Sequence, residues 1–228
     1  MFYVKKIDEK DVYCSDMLSV EHFFTSRDLP VLENKQKIAD YLSIDIENII
    51  RPNQTHSTNI ELVERNKKEY KDCDSLILNE KDMAIYLNFA DCVPIILYDE
   101  KNNIGAVAHG GWRGTAGKIA SKTVLKMKEM FNTQEKDVVA LIGPCISFEC
   151  FETSIEAIEQ LKASVHNQDG LFKERFADLK GINKRQLEEI GVKKIDVCPY
   201  CTVLDNDKFF SYRKENQTNK RHSALIKL

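Results

Sequence analysis

The sequence has no long run of apolar residues. Its longest apolar stretch, residues 93–98, has the length of a strand, whereas a membrane-spanning helix needs about 20 apolar residues. Residues 1–6 contain no apolar segment of the kind that a signal peptide requires. We therefore expect no membrane association and a cytoplasmic location.

An excess of positive charge is also missing. The chain has 33 Lys and Arg against 36 Asp and Glu, a formal net charge of −3, and no long basic run. Because binding to nucleic acid depends on clustered Lys and Arg, no nucleic-acid partner is expected. The content of 43% hydrophobic and 30% charged residues is typical of a globular enzyme or binding protein.

Glycine and proline are scarce, with 9 Gly and 5 Pro in 228 residues, and no segment rich in either divides the chain. This length suits one domain, so a single domain over residues 1–228 is expected. The seven cysteines cannot all pair within one chain. In a reducing compartment they are thiols or metal ligands rather than disulfides.

Apolar periodicity predicts both helices and strands. Helical spacing predicts four helices, at residues 33–42, 115–130, 153–165 and 183–190, with Asn34 and Asn183 as N-caps. Short apolar runs between turns predict strands at residues 75–78, 84–87, 93–98, 104–108, 138–142, 195–197 and 209–212. Nearly continuous apolar strands indicate sheets covered on both faces. The predicted fold class is therefore an α/β (α+β) sandwich of mixed β-sheets covered by helices.

Three potential metal ligands lie at the ends of predicted strands. His56 follows one strand, Cys92 begins another, and His109 ends a third. Two imidazoles and one thiolate suit zinc and leave a fourth coordination position for water or substrate. Their spacing matches no recognised zinc motif, however, and a histidine at a strand end is commonly only a hydrogen-bonded structural residue. The spacing alone leaves both interpretations open.

A glycine-rich turn, His109-Gly-Gly-Trp-Arg-Gly-Thr-Ala-Gly-Lys118, joins a predicted strand to a predicted helix. Gly110 and Gly111 permit a ligand to approach the backbone closely. Backbone N–H groups at the start of a helix attract anions, and Arg113 adds a guanidinium that can bind phosphate. The turn is a candidate phosphate-binding segment, although Trp112 could simply be a packed core residue.

Four motifs occur in order along the chain: Ala90-Asp-Cys-Val-Pro94, His109-Gly-Gly-Trp-Arg-Gly114, Ile142-Gly-Pro-Cys-Ile146 and Phe210-Ser-Tyr-Arg213. With them the chain, from about Phe24 to its end, resembles the laccase-domain or polyphenol-oxidase-like family, which is associated with purine nucleoside phosphorylase and adenosine deaminase activity. The resemblance implies sandwiched mixed sheets and one zinc ion, with His56, Cys92 and His109 as ligands. It also places Arg113 near an anion site.

The resemblance further implies that adenosine is cleaved by phosphate to adenine and ribose-1-phosphate, with related action on inosine, guanosine or methylthioadenosine. Adenosine deamination is a second implied activity. Two segments depart from the family pattern. The glycine-rich loop that usually follows the segment ending at Arg27 is shortened, and Thr218-Asn-Lys-Arg221 replaces a Thr-Gly-Arg-like ending. Arg27 is retained as a candidate substrate-binding residue, and the shortened loop puts the substrate preference in question.

Candidates for acid–base catalysis are Asp91 and Cys145, with Glu149 and Glu152 as weaker ones. Asp91 adjoins the predicted ligand Cys92, whereas most Asp and Glu residues are solvated surface groups. The sequence does not select among them. Nor does it distinguish a monomer from a homodimer.

Several other functions remain open. A copper-dependent polyphenol oxidase needs many imidazoles for its four copper ions, and the chain has five His, but copper could still occupy the single predicted site. A metal-free cysteine hydrolase would use Cys92 as nucleophile and His109 as base. Cys198-Pro-Tyr-Cys201 resembles a glutaredoxin dithiol, or could form a second metal site with Cys145 and Cys150. A binding protein without catalysis is the last alternative.

Overall fold

The structure, a computed structural model, describes all residues from 1 to 228. It contains fourteen strands, at Phe2–Ile7 (β1), Lys10–Ser15 (β2), His22–Thr25 (β3), Ile49–Ile50 (β4), Ile60–Leu62 (β5), Ser75–Leu78 (β6), Ala84–Phe89 (β7), Val93–Asp99 (β8), Ile104–Gly110 (β9), Val138–Ile142 (β10), Phe172–Lys173 (β11), Phe176–Ala177 (β12), Lys194–Val197 (β13) and His222–Lys227 (β14). Its five α-helices are Lys35–Leu42 (α1), Trp112–Ala116 (α2), Ile119–Phe131 (α3), Ile155–Lys162 (α4) and Leu179–Glu189 (α5).

Two six-stranded mixed sheets form the centre of a single α/β domain. The first has the strand order β1-β2-β3-β14-β7-β4, and the second has the order β13-β10-β8-β9-β6-β5. Most neighbours are antiparallel, but β4 and β7, β5 and β6, and β10 and β13 are parallel pairs. The predicted sandwich of mixed sheets covered by helices is therefore confirmed.

The two sheets pack face to face, and each is covered by helix on its other side. In β7, Ile85 and Leu87 point into the layer between the sheets, whereas Ala84 and Tyr86 belong to the layer beneath α1. This alternation is the two-residue period of a strand with both faces buried. Helices α3, α4 and α5 cover the outer face of the second sheet. No helix is both long and apolar enough to cross a membrane.

Three local predictions are wrong. The predicted helix over residues 115–130 is interrupted at Lys118, whose φ of +60° ends α2 and separates it from α3. The helix predicted to begin at Asn183 begins at Leu179 instead, because the Asp178 side chain caps it by accepting a hydrogen bond from the N–H of Gly181 at 3.0 Å.

Residues 209–212, predicted as a strand, form a bend and an irregular segment that leads into a turn. Their apolar signal comes from Phe209, which packs against Tyr13 and Tyr200 with ring centroids 4.9 and 5.8 Å away. The backbone next to it closes a turn in which the N–H of Glu215 donates to the carbonyl of Ser211 at 3.0 Å. Burial of an aromatic side chain in a turn therefore gave the same pattern as a short buried strand.

Candidate metal centre

His56, Cys92 and His109 meet at one end of the sandwich. They come from the loop after β4, from the turn between β7 and β8, and from β9. One donor atom from each residue lies within 4.8 Å of the other two, and the Sγ of Cys92 is 3.9 Å from the Nε2 of His56. His109 is buried whereas His56 is exposed, so the cluster opens to solvent on one side.

A single buried carboxylate, that of Asp74, holds the two histidines. Asp74 directly precedes β6, and it accepts a hydrogen bond at 2.7 Å from the Nδ1 of His109. It also accepts from the backbone N–H groups of Thr55, His56 and Ser57 at 3.0, 3.1 and 2.8 Å. These bonds stabilise the left-handed backbone at His56, where φ is +62°. Because Nδ1 of His109 is engaged by Asp74, its Nε2 is free to bind a ligand or a metal.

The electrostatics of the cluster favour a thiolate. Burial disfavours charge on Cys92, but the imidazoles of His109 and His56 outweigh it and lower the pKa of the thiol to about 6. Burial also opposes a charged His109, yet the Cys92 thiolate and the Asp74 carboxylate raise its pKa to about 9. Burial would raise the pKa of Asp74, but His109 and the N–H groups of Thr55 and Ser57 hold it well below its usual range.

These three residues fit a zinc or copper ion. Zinc ligand lengths imply that nitrogen and sulfur donors in a tetrahedral site lie roughly 3.5 Å apart, so only a small contraction would close the cluster around a metal. Gly111 leaves the required space, because a Cβ there would lie 3.0 Å from the Cδ2 of His56 and 3.2 Å from the Sγ of Cys92. The chain contains no other cluster of three or more His, Cys, Asp or Glu donors that could hold a metal.

A cavity of about 540 Å³ opens above the three donors. We call it the metal cavity. Ile146, Phe151 and Tyr212 form its apolar wall. Three arginines, Arg51, Arg213 and Arg221, also line it. A cavity that combines apolar surface with a few converging polar groups is the usual form of a small-molecule site.

Arg213 is held in place at both its main chain and its side chain. Its backbone N–H donates to the Oδ2 of Asp91 at 2.7 Å. Its Nη1 donates to the carbonyl of Cys150 at 3.0 Å, and its guanidinium lies 5.5 Å from the ring centroid of Phe151. These contacts leave the other two guanidinium nitrogens, Nε and Nη2, without a protein acceptor, so they can bind an anion in the cavity.

Asp91 lies in the metal cavity, as expected for a catalytic candidate, but both of its carboxylate oxygens have partners. Oδ1 accepts from the hydroxyl of Thr202 at 2.6 Å, and Oδ2 accepts from the N–H of Arg213. The backbone carbonyl of Asp91 accepts from the N–H of Ile146 at 3.0 Å. Asp91 thereby ties three separate segments to the candidate ligand Cys92, and this arrangement favours a positioning role.

The structure does not bring six other candidates to the metal cavity. Arg113 is stacked on Trp112, with its Cζ 4.4 Å from the ring centroid, and lines a separate cavity beside Glu156. Helix α2 begins at Trp112 and turns the Arg113 side chain away from the donors. The predicted phosphate-binding role of Arg113 is therefore not supported by its position. Gly110 lies at the end of β9, packed against Val93.

Arg27 and Cys145 also lie outside the cavity. Arg27 forms an ion pair with Glu215 at 3.4 Å and stacks over Phe210 at 4.8 Å. Cys145 is completely buried, and burial raises the pKa of its thiol far above the usual range. A neutral, inaccessible thiol is a poor acid, base or nucleophile. Glu149 and Glu152 are exposed outside the cavity.

The cysteines near the end of the chain do not form a second metal centre, since no three of them cluster. Cys201 is buried and accepts hydrogen bonds from the hydroxyl and N–H of Ser147 at 3.0 and 3.3 Å. Cys198 is buried at the end of β13. Turns rather than a helix follow Cys201, so the context of a glutaredoxin dithiol is missing.

Sequence reasoning missed Asp74 and Arg51 entirely. It quoted Arg213 in a motif and Arg221 in the altered ending without giving either a role in the cavity. For Asp74, a usable signal existed, because a charged residue immediately before a short, mainly apolar strand needs a buried partner. For the arginines there was none, since their convergence depends on loops that are far apart in the chain.

Comparison with known proteins gives consistent results. The family model described as multi-copper polyphenol oxidoreductase laccase matches residues 18–228. Purine nucleoside phosphorylase YlmD of Bacillus subtilis (strain 168) is 31% identical, over 88% of this chain and 78% of that protein. Adenosine deaminase RL5, from an unknown prokaryotic organism, is 30% identical, over 82% of this chain and 77% of that protein.

Solved structures show the same fold. YlmD from Geobacillus stearothermophilus matches with a TM-score of 0.89 at 24% identity, covering 98% of each chain. The hypothetical protein YfiH from Bacillus licheniformis matches with a TM-score of 0.88 at 26% identity, covering 100% of this chain and 98% of that one. The two-sheet sandwich is therefore shared along the whole chain.

Proposed function

Because the chain belongs to the multi-copper polyphenol oxidoreductase laccase family, we propose that it is a zinc-dependent purine nucleoside phosphorylase with His56, Cys92 and His109 as its zinc ligands. The observation that carries the proposal is the position of this donor cluster in a cavity lined by three arginines and an apolar wall. The name of the Bacillus subtilis relative supports the reaction. Adenosine is the first substrate to test, followed by inosine, guanosine and methylthioadenosine.

The residues of the metal cavity suit the two halves of this reaction. Phe151 and Tyr212 offer aromatic surface on which a purine can stack. Arg213, assisted by Arg51 and Arg221, binds phosphate through charge-assisted hydrogen bonds. A phosphate held there adds one oxygen to C1′ of the ribose while the C1′–N9 bond breaks, and the electron pair of that bond leaves with the purine. Asp91 fixes the position of Arg213 relative to the neighbouring Cys92, because its carboxylate accepts the backbone N–H of Arg213.

A bound zinc ion would supply Lewis-acid polarisation of a substrate or water atom at its open coordination position. The chain's own part is to keep the Cys92 thiolate and the His109 imidazole fixed, and Asp74 does this for His109. Substrate can reach the cluster without displacing Cys92 or His109, because the cluster is open to solvent on the side of the exposed His56.

Adenosine deamination is a second candidate, favoured by the relative that carries that name. Both reactions use the same cavity but give different products. Phosphorolysis yields adenine and ribose-1-phosphate and requires phosphate. Deamination yields inosine and ammonia and requires only water.

The test is to purify the chain without a metal-affinity tag, measure bound metals by elemental analysis, and incubate it with adenosine in the presence and absence of phosphate. About one zinc per chain and adenine formed only with phosphate would support the phosphorylase. Inosine formed without phosphate would favour the deaminase. If the nucleoside is not consumed, oxidation of phenols by the copper-loaded protein is the next assay.

The cysteine-hydrolase alternative is tested in the same preparation. The Cys92 thiolate and the His109 imidazole form a pair that could also act as nucleophile and base. If removal of all metal leaves activity intact while alkylation of Cys92 abolishes it, this alternative replaces the metal enzyme. The proposal requires the reverse, that activity disappears with the metal and returns with zinc.

A further inference from the structure

A second cavity lies next to the metal cavity and is of the same size, about 550 Å³. We call it the basic cavity. It is enclosed by the start of α1, by β4 and by residues 68–71. Arg51, Pro52 and Asn53 line both cavities. The segment 51–53 is therefore a wall common to the two.

Cations outnumber carboxylates in the basic cavity. Its lining contains Lys35, Arg51, Lys68 and Lys71, four cations, against the two carboxylates Glu47 and Glu69. The excess of two positive charges occurs in a chain whose net charge is −3. A concentration of one sign of charge in a concave surface focuses the field and attracts ligands of the opposite sign.

Three of the four cations have no carboxylate partner. Lys71 is paired with Glu69, whose Oε2 lies 3.4 Å from its Nζ. Lys68 donates only to the backbone carbonyl of Glu47, at 3.3 Å, and neither Lys35 nor Arg51 takes part in any ion pair or side-chain hydrogen bond of the structure. Lys35, Arg51 and Lys68 therefore have donor capacity available for an added ligand.

The lowered pKa of Lys35 indicates that the cations of this cavity lie close enough to repel one another. It is half-buried, and burial lowers the pKa of its ammonium group. Glu47 opposes this effect, while the positive charges of Lys68 and Arg51 lower the pKa further. A bound anion would relieve this mutual repulsion.

The wall of the cavity is fixed before any ligand arrives. The N–H of Asn53 donates to the carbonyl of Tyr70 at 2.7 Å, and the N–H of Cys73 donates to the carbonyl of Asn53 at 3.2 Å. The hydroxyl of Tyr70 accepts a hydrogen bond from the N–H of Glu64 at 2.8 Å. The segment that carries Arg51 is thus anchored to the segment that carries Lys68, and little ordering is needed on binding.

We propose that the basic cavity is a second anion site, in which Lys35, Arg51 and Lys68 bind the phosphate groups of a diphosphate-bearing ligand. The three cations carry more charge than one carboxylate can neutralise, whereas two linked phosphates offer both the negative charge and the oxygens to bind all of them. The shared wall at residues 51–53 places such groups beside the metal cavity. The site does not depend on the metal, although it shares Arg51 with the phosphate-binding arginines proposed above.

The test measures binding of pyrophosphate by isothermal titration calorimetry to the full chain at low ionic strength. We expect saturable binding that weakens as salt is added, because screening reduces such interactions. Lys35→Gln and Lys68→Gln should each weaken it roughly tenfold, the effect of losing one charge-assisted hydrogen bond. Lys71→Gln is the matched control, because it removes a cation of the same cavity that is already paired with Glu69. Adenosine phosphorolysis is assayed separately for each variant.

Titration with ADP distinguishes the source of the phosphates. If ADP binds more tightly than pyrophosphate and Lys35→Gln weakens both, the site takes the diphosphate of a nucleotide. If ADP binds no more tightly, the site takes free pyrophosphate. The proposal is overturned if neither anion binds, or if Lys71→Gln weakens binding as much as Lys35→Gln and Lys68→Gln do. Because these outcomes are read from binding alone, failure of this proposal is distinguishable from failure of the phosphorylase proposal, which the separate phosphorolysis assay reports.

Discussion

Asp74 and His109 are joined by a hydrogen bond of 2.7 Å between Oδ1 and Nδ1, and both side chains are buried. The same carboxylate accepts the N–H of His56. One acidic residue before β6 therefore orients two of the three donors of the metal centre. A carboxylate behind a histidine ligand fixes its tautomer and ring position and makes it a better donor.

Asp74→Asn should therefore weaken zinc binding. An amide nitrogen cannot accept hydrogen bonds, so either His109 or the backbone of residues 55–57 loses its acceptor. We expect the zinc dissociation constant to rise about 10- to 100-fold, measured by competition with a chromogenic chelator. Asp72→Asn is the matched control, because Asp72 binds Thr55 and Asn59 in the same loop but does not contact His109. Equal affinities for the two variants would contradict the role of Asp74.

Cys92 should be the thiol that zinc protects from alkylation. In the metal-free protein its low pKa, about 6, keeps it largely as the reactive thiolate at neutral pH. Bound zinc occupies the sulfur and should slow its reaction with iodoacetamide, as peptide mass spectrometry can measure. Cys145 and Cys198 are the internal references, because burial raises the pKa of both thiols and they should react slowly with or without zinc. Equal Cys92 labelling in the two states would mean that it is not a ligand.

The fold was largely predictable where both faces of a strand are buried. In β8 and β9 every residue is buried, so the sequence there is a nearly continuous apolar run. Several strands were not predicted, and among them β1 and β14 were missed for two different reasons. β1 lies at the edge of its sheet and has several exposed side chains. β14 begins with the polar residues His222 and Ser223, and the burial of Ser223 depends on a distant partner, the hydroxyl of Thr25, which accepts from its N–H.

The site was predictable only in part, and for a related reason. The family motifs pointed to His56, Cys92 and His109, and the structure brings these three together. A motif gives the order of residues but not the direction of their side chains. Arg113 follows the candidate ligand His109 closely in sequence, yet it lines another cavity. Arg213 is more than a hundred positions away and lines the metal cavity.

Arg213→Gln should therefore raise the KM for phosphate, whereas Arg113→Gln should not. Loss of one guanidinium that binds a phosphate oxygen is expected to raise this KM roughly tenfold, with a smaller effect on the KM for adenosine. The two substitutions are matched in chemistry and differ only in which cavity they change. Initial rates at varied phosphate concentration measure the effect. The opposite result, a raised KM for Arg113→Gln alone, would restore the glycine-rich turn as the phosphate site.

Asp91 provides the sharpest distinction between a positioning residue and a general base. If it positions Arg213, Asp91→Asn removes an acceptor for the Arg213 N–H while its side-chain oxygen can still bind the Thr202 hydroxyl. The KM for phosphate should then rise, and the shape of the pH–rate profile should stay unchanged. Thr202→Val frees the other carboxylate oxygen and should cause a smaller change of the same kind.

If Asp91 were the base, Asp91→Asn would instead reduce kcat by about 100-fold or more and would remove the acidic limb of the pH–rate profile. Thr202→Val would leave that limb in place. Comparison of the two pH–rate profiles therefore decides between the roles, because only a residue that takes up the proton can remove a limb.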